Sequence, residues 1–194
     1  MTGRVRTLMT MVLLGGVLSL AAGANPTVVE SLDVERYMGL WYAIASIPTT
    51  FERQCADGTT AEYTLLDNGK IEVVNTCFTE EGEPDRAVGR AWIPDPEEPT
   101  KLKVSFVRFL GFWFFPGAYW VIDLDPEYRF AVVGHPSYRY GWILSRTPRL
   151  DQETMDGIIE QLEAQGYDYG TFRRIDQSMH GSADDSCCGP PGTF

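Results

Sequence analysis

Between residues 39 and 146, apolar and polar positions alternate in short runs broken by Gly, Pro, Asn and Asp. That period of two is the signature of half-buried strands. Eight runs stand out: 39–48, 60–66, 71–77, 86–93, 101–107, 118–124, 129–134 and 140–146. The cleanest is 101–107, with Leu102, Val104 and Phe106 on one face and Lys101, Lys103 and Ser105 on the other. The sharpest turn signal is Asp67-Asn68-Gly69-Lys70, because Asn-Gly suits the positive φ of a two-residue hairpin turn. After Pro148 the period lengthens: Met155, Ile158, Ile159 and Leu162 recur at helical spacing. Asp151 can cap that helix and Gly166 can end it, while Gly157 weakens it inside. Residues 171–175 suggest a short ninth strand, and neither a repeat nor a second domain is visible.

Eight meandering strands with one apolar face each must bury that face. Closure into an up-and-down barrel does so without leaving edges. The expectation is therefore an all-β, eight-stranded antiparallel barrel with one C-terminal α-helix packed outside. A two-sheet sandwich is the alternative that the pattern leaves open. In a meander, successive connections alternate between the two ends. One end collects tight turns, together with Gly39, Trp41, Asp125 and Arg146. The other collects the longer loops and is expected to be the open mouth. There the stretch Phe109-Leu110-Gly111-Phe112-Trp113-Phe114-Phe115-Pro116-Gly117 is read as a loop, with a great deal of apolar area for a loop. Folded outward, it forms an oily lip of Phe109, Phe112, Trp113, Phe114 and Phe115; folded inward, it forms a plug.

Taking Trp41 as inward sets the parity of the first strand. The lining then becomes Ala43, Ala45 and Ile47; Ala61, Tyr63 and Leu65; Leu102, Val104 and Phe106; and Tyr140, Trp142 and Leu144. Small residues on the first strand, with Gly89 and Ala91, leave space. Such a lining suits an acyl chain or a similar apolar molecule, each buried methylene contributing about 0.8 kcal/mol. A carrier needs a tube with room for at least a short alkyl tail; a lumen filled by its own rings would remove that reading. No lumenal Lys or Arg is evident, so Arg53, Arg108 and Arg139 on open-end loops are the candidates for an anionic headgroup, with plain surface charge as their other reading.

Composition narrows the setting. Residues 1–24 carry Arg4 and Arg6, an apolar run and Ala22-Gly23-Ala24, the plan of a cleaved signal peptide. The expected division is a signal peptide at 1–24, a barrel domain at 25–177 and a disordered tail at 178–194. Without the leader, 14 basic residues face 27 acidic ones, a net charge of −13 that opposes nucleic acid and anionic surfaces. Two His residues are too few for a His-based metal site, and no cofactor is expected. Export permits disulfides. Cys55 and Cys77 both lie toward the open end and can bridge if the chain folds back near Ala56-Asp57-Gly58. Cys187 and Cys188 stay open between intermolecular pairing and free thiols. His135 and Ser137 are near neighbours, but nothing in the sequence orients the imidazole, so a ligand carrier is favoured over a lipid-converting enzyme. The other alternative is an interaction module whose filled barrel meets a protein or a membrane through the aromatic loop.

The segment Asp33 to Arg53, with Gly39-Leu40-Trp41 and Ile47-Pro48-Thr49-Thr50-Phe51-Glu52, resembles the first signature of the lipocalin family. Ser145-Arg146-Thr147-Pro148 resembles the third. Leu124-Asp125-Pro126 stands where the second belongs and keeps only its Asp. The resemblance covers residues 33–175 and is strongest to bacterial outer-membrane lipocalins and apolipoprotein D. It adds Tyr119 and Val121 to the expected lining. It also implies fatty acid or lysophospholipid as ligand and a role in membrane-lipid maintenance, in a periplasmic, outer-membrane or secreted setting. The chain lacks the Cys that would follow a lipid-attachment leader. A membrane surface and a second copy of the chain are the further candidate partners.

Overall fold

The computed structural model describes residues 25–180. In chain order the elements are α1 (Val34–Tyr37), β1 (Gly39–Ser46), β2 (Asp57–Leu65), β3 (Ile71–Phe78), β4 (Pro84–Trp92), β5 (Lys101–Ser105), β6 (Val107–Phe109), β7 (Phe112–Phe114), β8 (Gly117–Leu124), β9 (Phe130–Gly134), β10 (Gly141–Ser145), α2 (Gln152–Ala164) and β11 (Arg173–Arg174). Strands β1 to β5 and β8 to β10 pair antiparallel in sequence order, and β10 returns to β1 through Tyr42↔Ser145 and Ala43↔Leu144. The meander is thus a closed barrel rather than a sandwich. The eight expected strands all form, with bounds that differ by a few residues.

Outside the barrel lies α2. Asp151 caps it by accepting the Thr154 N–H, and Gly166, at φ +94°, follows its end. Met155, Ile158 and Leu162 are buried against Ala45, Ile122, Val132 and Ile143 on the outer faces of β1, β8, β9 and β10. Each such side chain contributes roughly 2 kcal/mol of burial. A narrow wedge between β1 and β2 is filled by β11, which pairs with Ala45 and Ser46.

Four features depart from the sequence reading. First, β1 carries a bulge between Ala43 and Ala45. It reverses side-chain parity, so Ala45 and Ile47 pack with the α2 cluster outside the barrel, not in the lumen. Second, the β2–β3 connection is a three-residue loop. Leu66 N–H donates to Lys70 O and Gly69 takes φ +74°, so Thr60 faces Thr76 and Cys77 is one position off the two-residue-turn register.

Third, the aromatic stretch is neither lip nor plug. Val107↔Phe114, Arg108↔Trp113 and Phe109↔Phe112 pair as a ribbon closed by Leu110 and Gly111, both at positive φ. Gly89 and Ala91 are buried on β4, and Ala91 is in the interior core, so Arg90 and Trp92 face outward. The ribbon lies on that outer side: Arg90 is 5.6 Å from the Trp113 ring, and a shallow cleft is bounded by Lys70, Trp92, Gly111, Phe112 and Trp113. Lys70 belongs to a turn of the closed end, so the ribbon runs down the wall and away from the mouth. Buried Ser105 fixes its root by donating to the Phe114 carbonyl.

Fourth, the expected tail is ordered through Ser178–His180, a short 3-10 turn whose His180 ring meets Tyr42 and Phe78. The expected signal peptide, residues 181–194 and Cys187-Cys188 lie outside the described residues.

Candidate functional site

The closed end is built from the segment before β1. Leu32, Tyr37 and Met38 press into the interior core from below, a contribution absent from the sequence reading. Trp41 has no exposure and donates from Nε1 to the Tyr37 carbonyl at 2.8 Å. Arg146 lies 3.7 Å from the centre of the Trp41 ring and donates to Leu40 O and Arg36 O, both at 2.8 Å. A planar cation with several N–H groups covers the ring and satisfies two carbonyls at once. Gly39 takes φ +91°, and a Cβ there would come 3.5 Å from Arg146 Nη1. Asp125 caps the β8–β9 turn: it accepts the N–H groups of Glu127 and Arg129 and is forked by the Arg129 guanidinium. Those bonds hold its carboxyl below the ordinary range.

Above this floor the interior is lined by Tyr37, Met38, Tyr63, Ile71, Val73, Ala91, Leu102, Val104 and Tyr119. Of the expected lining, Ala43, Ala61, Tyr63, Leu102, Val104, Tyr119, Val121, Trp142 and Leu144 belong to this core. Leu65 does not; it shares parity with Tyr63 and stands opposite Ile71, but is 39% exposed. Ile71, Val73, Ala131 and Val133 join the core although no lining was assigned on their strands. Both runs, "IEVVNTC" and "FAVVG", were legible as strands, but no motif set their parity.

Between these nine residues little space remains. The space left for the centre of a water-sized molecule is about 10 Å³, enough for one oxygen atom. The expected tube with room for an alkyl tail is therefore corrected for this part of the lumen: between these residues, with the side chains as they stand, there is space for one oxygen atom and not for a chain. Phe106 belongs to neither core cluster and packs over Gly89. A Cβ on Gly89 would lie 2.7 Å from Phe106 Cδ1, so the ring occupies the space this glycine leaves. Phe106 is 39% exposed, and β4 below residue 90 has no partner in β5, whose pairs run only from Arg90↔Ser105 to Trp92↔Lys103. The wall is thus notched beside this ring.

The rim is aromatic for a different reason than expected. Tyr140 stacks between Trp142 and Phe51, at 6.4 Å from each ring centre. The β1–β2 loop supplies Phe51 and Glu52, and Glu52 accepts from Thr49 Oγ1 at 2.6 Å and, at 3.4 Å, from Trp142 Nε1. Disulfide Cys55–Cys77 ties that loop to β3, with Cα atoms 5.5 Å apart. Arg53 and Arg139 are exposed on open-end loops. Arg108 is not at the mouth; it lies 5.8 Å from the Trp113 ring on the outer ribbon. His135 Nδ1 accepts the Ser137 N–H at 3.0 Å and contacts Ser137 Oγ at 2.8 Å, a turn-capping arrangement, and burial lowers its pKa.

With this geometry in hand, comparison with known proteins is informative. Residues 32–177 match the model of the lipocalin-like domain. Temperature-induced lipocalin-1 of Arabidopsis thaliana is 41% identical over 154 residues, 78% of this chain and 82% of the relative. Outer membrane lipoprotein Blc of Vibrio cholerae is 36% identical over 168 residues, covering 86% and 94%. Apolipoprotein D of Mus musculus is 32% identical over 189 residues, covering 90% and 96%. Among solved structures, insecticyanin from the tobacco hornworm Manduca sexta superposes with a TM-score of 0.63 at 23% identity, over 79% of this chain and 85% of that one, which speaks to the fold. Barrel closure, the Trp41–Arg146 floor and these relationships converge: the chain belongs to the lipocalin family.

Proposed function

We propose that the barrel takes up one small, mainly apolar molecule through the notched mouth, with a fatty acid or lysophospholipid as the preferred class. The observation that carries this is the enclosed wall of Ile71, Val73, Ala91, Leu102 and Val104, closed below by Tyr37 and Met38 and bordered above by a half-exposed ring. Each methylene such a chain buries contributes about 0.8 kcal/mol, against which the costs of ordering and of moving the lining are set. The lining as it stands does not admit such a chain, which on geometry alone would remove a carrier reading. Membership of the lipocalin family supports keeping it, and uptake then requires the lining to rearrange, Phe106 moving off Gly89 among others. An anionic headgroup would remain at the rim, near Arg53 and Arg139. In this reading the protein works outside the cytoplasm, in a periplasm, at an outer membrane or secreted. Its disulfide and the names of its relatives, an outer membrane lipoprotein and an apolipoprotein, support that setting.

Native mass spectrometry of the purified protein with and without added lauric acid tests the proposal. A lipid-sized adduct is expected, and Phe106→Ala should raise its occupancy severalfold. A bare mass in both proteins would overturn it, and turnover of an added ester would replace it with an enzymatic reading.

A second reading has its own observation. The outer face of the β6–β7 ribbon exposes Phe109, Phe112 and Phe114, with Leu110 at 80% and Phe115 at 85% exposure. So large an exposed apolar surface supports a reading in which this face meets a membrane or a second copy of the chain.

A further inference from the structure

The lumen floor holds a cluster that the apolar reading does not use. Tyr119 Oη shares hydrogen bonds with Tyr37 Oη at 2.8 Å and with Tyr63 Oη at 2.9 Å. The three rings come from α1, β2 and β8, and all three line the remaining cavity. Three hydroxyls carry three protons, but two bonds consume only two of them. Whichever way the protons run, one O–H is left over, and these hydroxyls have no further hydrogen-bond partner among the described residues. The space beside them, about 10 Å³, fits one oxygen atom. A spare buried donor is costly until it meets an acceptor.

The charge around the floor limits what that acceptor is. No cation lines the cavity. The nearby Arg146 is held behind Trp41, with two of its nitrogens already bound to carbonyls. A carboxylate would therefore be buried without a counter-charge. Burial also holds all three phenols in their neutral form, which keeps them donors.

We infer that the Tyr37–Tyr119–Tyr63 cluster is a recognition site for one neutral acceptor oxygen, a carbonyl or hydroxyl, at the leading end of the apolar ligand. The inference rests on the reading that the lumen takes up such a ligand. It makes an oxygen-bearing chain that enters oxygen-first the preferred class over a plain hydrocarbon tail of equal length.

The test compares lauric acid with its 11-oxo and 12-hydroxy derivatives, and decanoic and myristic acids with their equivalents, by titration on the wild type and on Tyr37→Phe/Tyr63→Phe/Tyr119→Phe. The triple variant replaces every partner by an apolar group of the same shape, so its fold should survive. Thermal unfolding checks that. In the wild type at least one oxygenated chain should bind about tenfold tighter than its parent, the worth of one satisfied buried donor. In the triple variant that preference should vanish while the parent acids bind as well or better. A second readout stands on the wild type alone: the infrared carbonyl band of the bound oxo acid should shift to lower frequency than in hexane. If parent and oxygenated chains bind equally and the band does not shift, the cluster is only structural and the inference falls while the carrier reading stands. If no chain of either kind binds, the carrier reading itself falls.

Discussion

Tyr63 shows how a single residue couples floor chemistry to pH. Desolvation by burial pushes its pKa up to about 12, and burial likewise raises Tyr37 and Tyr119. In the unfolded chain these phenols ionise near 10. Below that value both states are protonated and stability is untouched. Between about 10 and 12 the unfolded chain sheds protons that the fold retains, so stability falls as pH rises through this window. Ultraviolet titration should therefore show a late-ionising subset among the nine tyrosines, and urea midpoints should drop steeply above pH ~10. If all nine ionise together near 10 with the fold intact, the buried hydroxyl cluster is not there. Residues whose role is set by contact along one strand, such as Leu102 and Val104, were legible in sequence. The three tyrosines were not legible as a unit, because 82 residues separate Tyr37 from Tyr119 and no local pattern brings them together.

At the scale of elements, the β6–β7 ribbon is the clearest departure from expectation. Its turn residues, Leu110 and Gly111, lack the Asn-Gly signal, so nothing local marks the segment as a hairpin. Its place on the outer wall follows from contacts between distant chain segments: Arg90 against Trp113, and Ser105 bonding back to Phe114. One face of the ribbon is consumed by the wall and the other is left apolar. If that face meets a membrane, Phe109→Ser/Phe112→Ser should lower flotation with zwitterionic phosphatidylcholine vesicles about tenfold or more, since each buried Phe is worth roughly 2 kcal/mol. Lauric acid binding should be unchanged, because the ribbon is off the mouth. Undiminished flotation would leave self-association, checked by sedimentation, as the use of this face.

For the whole molecule, the barrel closes through β1–β10 pairing, the floor is plugged by α1, and the mouth is restrained by Cys55–Cys77. The crosslink spans 22 residues and ties the loop carrying Phe51 and Glu52 to β3. Cys55→Ser/Cys77→Ser should cost about 2–4 kcal/mol in urea unfolding, through greater freedom of the unfolded chain. It should also speed ligand release by loosening the rim. An unchanged urea midpoint would mean that the loop is held without the bond.

Alternation, turn residues and the shift to helical spacing are local properties, and they alone determined eight strands and one outer helix, while leaving a two-sheet sandwich open beside the closed barrel. They also identified Trp41 and Arg146, because both stand at strand ends whose place in the meander is fixed by counting connections. Only the tertiary structure decided which face of β1 looks inward past the bulge, where the aromatic ribbon lies, and that Phe106 fills the space left by Gly89. The reason is physical. A bulge is a single inserted residue with no distinct side-chain pattern. A ribbon's resting place and a lumen's free volume are set by the fit of side chains far apart in sequence, which no periodicity along the chain encodes.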